Sequence, residues 1–301
     1  MSPAVALVSA RAARGLDEDM PLLAAAFTAA GAHPEIVDWD DPHADWARFE
    51  LALLRSAWDY AERRCEFLAW AERIASLTTL INPLPVVRWN SDKHYLHGLA
   101  AAALPVVPTA FVEAGSHGRP GVDAAAALAQ FLAQHACAEL VVKPSVGAGS
   151  RDTRRHARSA TTEILAHLQR LLAAGRGVML QPYLQGVDHD GETAVMFIDG
   201  RFSHAIRKGP LLPAGAPATA GLFAPEDISA RSPAADELAA AARVMAHLPF
   251  GTLLYARVDL IRDAAGSPCL LELELTEPSL YFAYAPGSAE RFVTAALNRL
   301  A

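Results

Sequence analysis

Asp259, Glu272 and Glu274 are the residues whose types and spacing point most directly to chemistry. Asp259 lies in Tyr255-Ala-Arg-Val-Asp-Leu-Ile261, and the two glutamates lie in Leu271-Glu-Leu-Glu-Leu275, with the turn Asp263-Ala-Ala-Gly266 between the runs. Both runs read as strands of one hairpin, and positions two apart on a strand leave the same face. Carboxylates gathered among Val, Leu and Ile repel one another unless cations hold them. Hard oxygen ligands of this kind suit Mg²⁺, which keeps waters and binds substrate phosphates as well. The bland alternative is the wet side of a half-buried sheet.

Lysines are few, and Lys93, Lys143 and Lys208 occupy motif-like positions. Lys143 closes the apolar run Leu-Val-Val and is followed by Pro144 and the small-residue loop Ser145-Val-Gly147-Ala-Gly149-Ser150. Such a loop lets backbone N–H groups approach phosphate oxygens beside a point charge. It is not a Walker A sequence, because the lysine precedes the glycines; an ordinary surface turn would look the same. Near the N-terminus, Leu54-Arg55-Ser56-Ala57-Trp58-Asp59-Tyr60 follows a buried run, and loops at strand C-termini are where open α/β sheets place ligands. Arg55 could clamp a substrate carboxylate, while Ser56 or Asp59 could cap the next helix and face the cleft. Plain capping by Asp59 and core packing by Trp58 are equally open.

The elements that must position these groups alternate in the first third. Val5–Val8, Glu35–Val37 and Leu51–Leu54 read as strands, and Leu16–Ala30 and Glu62–Ser76 as helices, which suggests βαβ units and a parallel sheet. Asn82-Pro-Leu-Pro85 breaks the periodicity and marks a lobe boundary. A helix from Ser91 to Leu104, strands at 106–112, 140–142 and 177–181, and helices at 123–136 and 161–174 follow. Asp199-Gly200 between two apolar runs is a hairpin signal, so the second half reads as antiparallel and mixed. Pro210–Ser232 reads as a long loop, 233–247 as a helix, and a last helix starts near Ser288. The expected architecture is α/β, α+β in the C-terminal half, with lobes at 1–90, 91–180 and 181–301.

Composition narrows the classes. With 26 Lys and Arg against 33 Asp and Glu, the net charge of −7 argues against nucleic acid or an acidic membrane as the main partner. No run approaches the roughly 18–20 apolar residues of a membrane span. Cys65, Cys137 and Cys269 are widely spaced and fit no disulfide or zinc pattern, and with no signal-peptide pattern the expected location is the cytoplasm. His189, His204 and His247 lack metal-ligand spacing.

Taken together, the motifs resemble the ATP-grasp superfamily of carboxylate–amine ligases, most closely its glutathione synthetase-like branch, over roughly residues 80–280. Asn90-Ser-Asp-Lys93 with Tyr95-Leu96 looks like the helix start bearing the first ATP lysine. Val141-Val-Lys143 with Ser145, Gly147, Gly149 and Ser150 looks like the second lysine and its phosphate-covering loop. Gln181-Pro182-Tyr183-Leu184 resembles the hinge that meets adenine, with Asp188 or Glu192 suited to the ribose, and Asp259, Glu272 and Glu274 match the magnesium ligands. The resemblance implies an ATP-grasp fold of three lobes, ATP and Mg²⁺ as cofactors, and ADP-forming C–N ligation through an acylphosphate. It also implies a small amino-acid-like substrate, with a homodimer among the expected states.

Glu274 stands where many relatives have Asn, and Ala194 where peptide-forming relatives have Arg, so Lys143, Arg207 and Arg257 become the catalytic candidates and Lys208, Glu277 and Ser279 substrate candidates beside Arg55, Ser56 and Asp59. Surface charge or a salt bridge to the carboxylates is the alternative for Arg207, Lys208 and Arg257. Arg55-Ser-x-Trp-Asp-Tyr60, Arg88-Trp-Asn90 and Glu277-Pro-Ser-Leu280 are similar to a subgroup that includes a cyclo-ligase of D-cycloserine biosynthesis. Rival readings are ligation to a peptide or protein tail, a small-molecule kinase, and a non-catalytic nucleotide-binding module.

Overall fold

The computed structural model describes residues 2–115, 121–215, 219 and 221–300. Three sheets organise them. The first is parallel, in the order β2-β1-β3-β4, from β1 (Ala4–Ser9), β2 (His33–Asp38), β3 (Leu51–Ser56) and β4 (Thr79–Ile81). Val5, Leu7, Leu51 and Leu53 are fully buried, as expected of parallel strands covered on both faces. Helices α1 (Asp19–Ala29) and α2 (Arg64–Ala75) are the crossovers. Pro83 and Pro85 open a separate helix, α3 (Leu84–Asn90), with Pro83 as N-cap, because the first turn of a helix needs no N–H donors.

Helix α4 (Tyr95–Ala101) is shorter than the helix expected from Ser91 to Leu104, and it packs away from the central lobe. Tyr95, Leu96 and Leu99 join the core of the C-terminal sheet. The central sheet begins only at β5 (Ala110–Val112) and continues with β6 (Glu139–Pro144), β7 (Arg154–Ala157) and β8 (Val178–Pro182), antiparallel in the order β5-β8-β6-β7. It is covered by α5 (Ala124–Gln134) and α6 (Thr161–Ala173) through Leu128, Phe131, Ile164 and Leu168. The Asp123 carboxylate caps α5 by accepting from the Ala125 N–H at 2.8 Å.

After the short α7 (Gly186–Asp190), the third sheet is antiparallel in the order β11-β10-β9-β12-β13. Its strands are β9 (Glu192–Ile198), β10 (Arg201–Lys208), β11 (Ile228–Arg231), β12 (Tyr255–Arg262) and β13 (Pro268–Glu274). Asp199 and Gly200 both have positive φ, the conformation that closes a two-residue hairpin. Strand β11 lies inside the expected 210–232 loop, of which 216–218 and 220 fall outside the described residues.

Alternation splits this sheet. Val195, Phe197, Val258 and Leu260 pack toward α8 (Ala235–Ala246), α3 and α4. Ala194, Met196, Ile206 and Tyr255 pack toward the first sheet and Phe292 of α9 (Ser288–Leu297). Burial of one such large apolar side chain contributes about 1.5–3 kcal/mol. Tyr255 ties the sheets together: its hydroxyl lies 2.9 Å from the Thr276 carbonyl and 3.1 Å from that of Ile81, and accepts the Asn82 N–H at 3.1 Å. No described helix is long and apolar enough to cross a membrane.

Candidate active site

The face of the C-terminal sheet that meets the first sheet ends in a charged row. Register places Asp259 opposite Glu272, Arg257 opposite Glu274, and Lys208 opposite Glu192. A bulge between Asp259 and Leu260 leaves Leu271 unopposed and re-aims the end of β13. Lys208 Nζ lies 3.0 Å from Asp259 Oδ2, and Arg257 reaches Asp259 through Nε at 2.9 Å and Nη2 at 3.0 Å. Arg257 also pairs with Glu274, and Lys93 Nζ lies 2.9 Å from Glu272 Oε1.

Burial alone would raise the Asp259 carboxyl, but Arg257 and Lys208 hold it down at about 2. Burial works against ionised Glu272 too, and Lys93 and then Lys143 outweigh it. Glu277, three residues past the row, has no ion pair among the described residues, and burial lifts its carboxyl to about 8, with Glu274 adding to the rise and Lys93 offsetting it only in part.

The row forms one wall of a cavity of about 410 Å³ between the lobes. Lys143, at the end of β6, lines it, buried and with no ion pair among the described residues; burial lowers its pKa. Next to it are Gly147, Gly149, Ser150, Arg151 and Thr153. The Gly149 carbonyl accepts the Ala224 N–H at 3.1 Å, and a β-carbon on Gly149 would lie 2.3 Å from the Leu222 oxygen. The glycine loop and the 222–224 segment therefore close over the cavity together. At the far end, Val141, Leu184, Ile261 and Leu271 make an apolar slot beside Gln181, Pro182 and Tyr183, a shape suited to a flat base.

Among the described residues, no three acidic, histidine or cysteine groups form a self-sufficient metal cage, because each carboxylate of the row is turned to a lysine or arginine. The donor set still fits Mg²⁺ completed by phosphate oxygens and water, for which one or two carboxylates suffice.

Most expected residues converge here: Lys93, Lys143, Gly147, Gly149, Ser150, the 181–184 hinge, Glu192, Lys208, Arg257, Asp259, Glu272, Glu274, Glu277 and Ser279 line the cavity. Six others do not, and each has a local reason. Arg207 alternates to the opposite face from Lys208 and donates to the Asp190 carbonyl at 3.1 Å. Arg55 is fully buried behind the wall, where its Nη2 donates to the Pro278 carbonyl at 2.9 Å. Ser56 donates to Ser9 Oγ at 3.0 Å. Asp59 accepts from Trp39 Nε1 at 2.8 Å and pairs with Arg63 at 3.3 Å. Asp188 is occupied by Tyr183 and Arg155 and does not line the cavity, whereas Glu192 does. Ser145 braces the loop from beneath, its N–H on the Gly177 carbonyl and its carbonyl on the Lys93 N–H, at 2.9 Å each.

Asp17, Asp19, Tyr60 and Tyr281 line the cavity without having been singled out. The signal for the first two was present, since Leu16-Asp-Glu-Asp19 follows the C-terminal end of β1 just as Arg55 follows the run in β3. Asp19 earns its place by accepting the N–H groups of Leu280 at 2.6 Å and Phe282 at 2.9 Å, which pins the segment after β13 to the first lobe.

Comparison with known proteins agrees with this geometry. Residues 5–82 match the family described as D-cycloserine synthetase DcsG, N-terminal domain. The chain is 44% identical over 303 residues to the cycloserine biosynthesis protein DcsG of Streptomyces lavendulae, covering 98% of each chain. A crystal structure of D-cycloserine synthetase DcsG matches with a TM-score of 0.90 at 43% identity, over 99% of this chain and 100% of that one. The ATP-grasp ligase PsnB, solved with a phosphomimetic variant of its minimal precursor, Mg and ADP, matches with a TM-score of 0.63 at 18% identity, over 99% and 98% of the two chains; this likeness is one of fold. The chain has the fold of the ATP-grasp ligases and belongs to the family of D-cycloserine synthetase DcsG.

Proposed function

We propose that the cavity binds ATP with Mg²⁺ and activates the carboxylate of a small amino-acid-like molecule for attack by nitrogen. The observation that carries this reading is Lys143, a buried cation without an ion-pair partner among the described residues, set between the glycine loop and a row of carboxylates. A polyphosphate would complete its charge. Asp259, Glu272 and Glu274 would hold Mg²⁺, which when bound supplies charge neutralisation to the phosphates. Lys93 and Lys143 would offset the charge that develops on the transferring phosphoryl group. Lys208 and Arg257 would orient the substrate carboxylate at the edge of the row.

A substrate carboxylate oxygen bonds to the γ-phosphorus and ADP leaves; the nitrogen then bonds to the acyl carbon, phosphate leaves and the nitrogen loses a proton. The closed loops exclude the water that would otherwise hydrolyse the acylphosphate.

Kinship with DcsG supports O-ureido-D-serine as substrate and D-cycloserine as product. Atom balance then requires the carbamoyl group to leave as ammonia and carbon dioxide, with one water consumed. The site operates in the cytoplasm under this reading. Mass spectrometry of a reaction with O-ureido-D-serine, ATP and Mg²⁺ tests it: ADP release in step with D-cycloserine is expected. A stable phosphorylated product, or ADP release without ring formation, overturns it.

A further inference from the structure

Glu277 is a buried carboxylate, 8% exposed, that lines the cavity, and among the described residues its side chain has neither a hydrogen bond nor an ion pair. The cations nearest to it are spent: Lys93 holds Glu272 and Arg257 holds Asp259 and Glu274. Its backbone is fixed, because Trp58 Nε1 donates to the Glu277 carbonyl at 3.2 Å and Arg55 Nη2 to the next carbonyl at 2.9 Å. The carboxylate therefore stands at the first-lobe end of the row, away from the apolar slot. Two aromatic side chains of the first lobe, Trp58 and Tyr60, line the cavity there, and Phe223 closes on Trp58 with ring centroids 5.4 Å apart.

An unpartnered buried carboxylate is costly until a donor arrives, and one that shares a cavity with aromatic side chains suits an ammonium group, which can ion-pair with the carboxylate and be attracted to the rings. We infer that Glu277, with Trp58 and Tyr60, binds the α-ammonium of the substrate, so that the enzyme selects amino acids over their deaminated counterparts. This rests on the carboxylate-activating reading above and adds the second point of recognition.

The test is equilibrium titration of enzyme loaded with Mg²⁺ and a non-hydrolysable ATP analogue, using O-ureido-D-serine, D-serine and the des-amino counterpart of each. Wild type is expected to bind the amino forms at least tenfold more tightly. Glu277→Gln should bring that ratio below threefold by weakening only the amino forms, with nucleotide affinity unchanged. Tyr60→Leu, which removes the aromatic ring, gives a smaller loss in the same direction and serves if the first variant does not fold. A wild type without the preference, or a Glu277→Gln variant that keeps it, overturns the inference. Preference for D-serine without turnover of O-ureido-D-serine would sink the proposed reaction and leave the role of Glu277 standing.

Discussion

Replacing Gly149 by alanine should separate loop closure from folding. The residue has φ +60°, and an added β-carbon would sit 2.3 Å from the Leu222 oxygen and 2.8 Å from the Phe223 α-carbon. Both are backbone atoms, so no side-chain rotation relieves the overlap and the two loops must part. A left-handed alanine costs about 1 kcal/mol, and losing the Ala224 N–H to Gly149 carbonyl bond about 1 kcal/mol more. With residual overlap, closure is disfavoured by about 2–3 kcal/mol, roughly a 30- to 150-fold shift toward the open arrangement. Under the proposed reaction, water then reaches the acylphosphate. Product formed per ADP released should fall well below the wild-type value and kcat should drop at least tenfold, while Tm moves by no more than a few degrees because no core residue is touched. Gly147→Ala is the comparison: its β-carbon would meet the Pro144 side chain at 3.1 Å and the Pro144 carbonyl only at an ordinary 3.8 Å, with no contact to the 222–224 segment. If Gly149→Ala keeps wild-type kcat and coupling, these loops do not gate the reaction.

Glu272→Gln should lower kcat by at least about 100-fold with a native circular dichroism spectrum, since under the proposed reading it removes a carboxylate that would hold the Mg²⁺ neutralising the phosphates; unchanged ATP turnover would remove Glu272 from the proposed metal site. Tyr255→Phe strips a buried hydroxyl that meets three carbonyls and one N–H, and should cost about 2 kcal/mol in urea unfolding. A loss under about half of that would show the lobes to be joined elsewhere. Burial raises the Glu277 carboxyl from 4.5 to about 8, so the folded state holds a proton that the unfolded chain releases. Its stabilising contribution is complete below pH 4.5 and is lost as pH rises through 8. Without ligands, the Tm of wild type minus that of Glu277→Gln should therefore fall between pH 5 and pH 9; a flat or rising difference contradicts the burial.

Much of the site was legible from residue spacing. Glu272 and Glu274 share a face because strands alternate; the Asp199-Gly200 turn pairs β9 with β10, and a bulge between Phe202 and His204, which the sequence does not announce, shifts that register by one to bring Glu192 opposite Lys208. Arg207 misled for the same reason: one step along the strand reverses the face, and its neighbour Lys208 is the residue that enters the cavity. Arg55 and Asp59 carried the right chemical types, but their partners, Pro278 and Trp39, come from elsewhere in the chain.

Local pattern determined the β-strands, the hairpin turns, the glycine loop and the order of the lysine and carboxylate motifs, because strand period, turn chemistry and small-residue runs act over a few residues. The tertiary structure decided which charges neutralise one another and which remain open to a ligand. Lys93 meets Glu272 across 179 positions of sequence and Trp58 meets Glu277 across 219, and contacts of that range depend on how the lobes pack. Burial lifts Glu277 to about 8, while Arg257 and Lys208 overcome the same burial and hold Asp259 at about 2; both are properties of the assembled cleft, where the distance to the nearest cation outweighs the identity of the carboxylate.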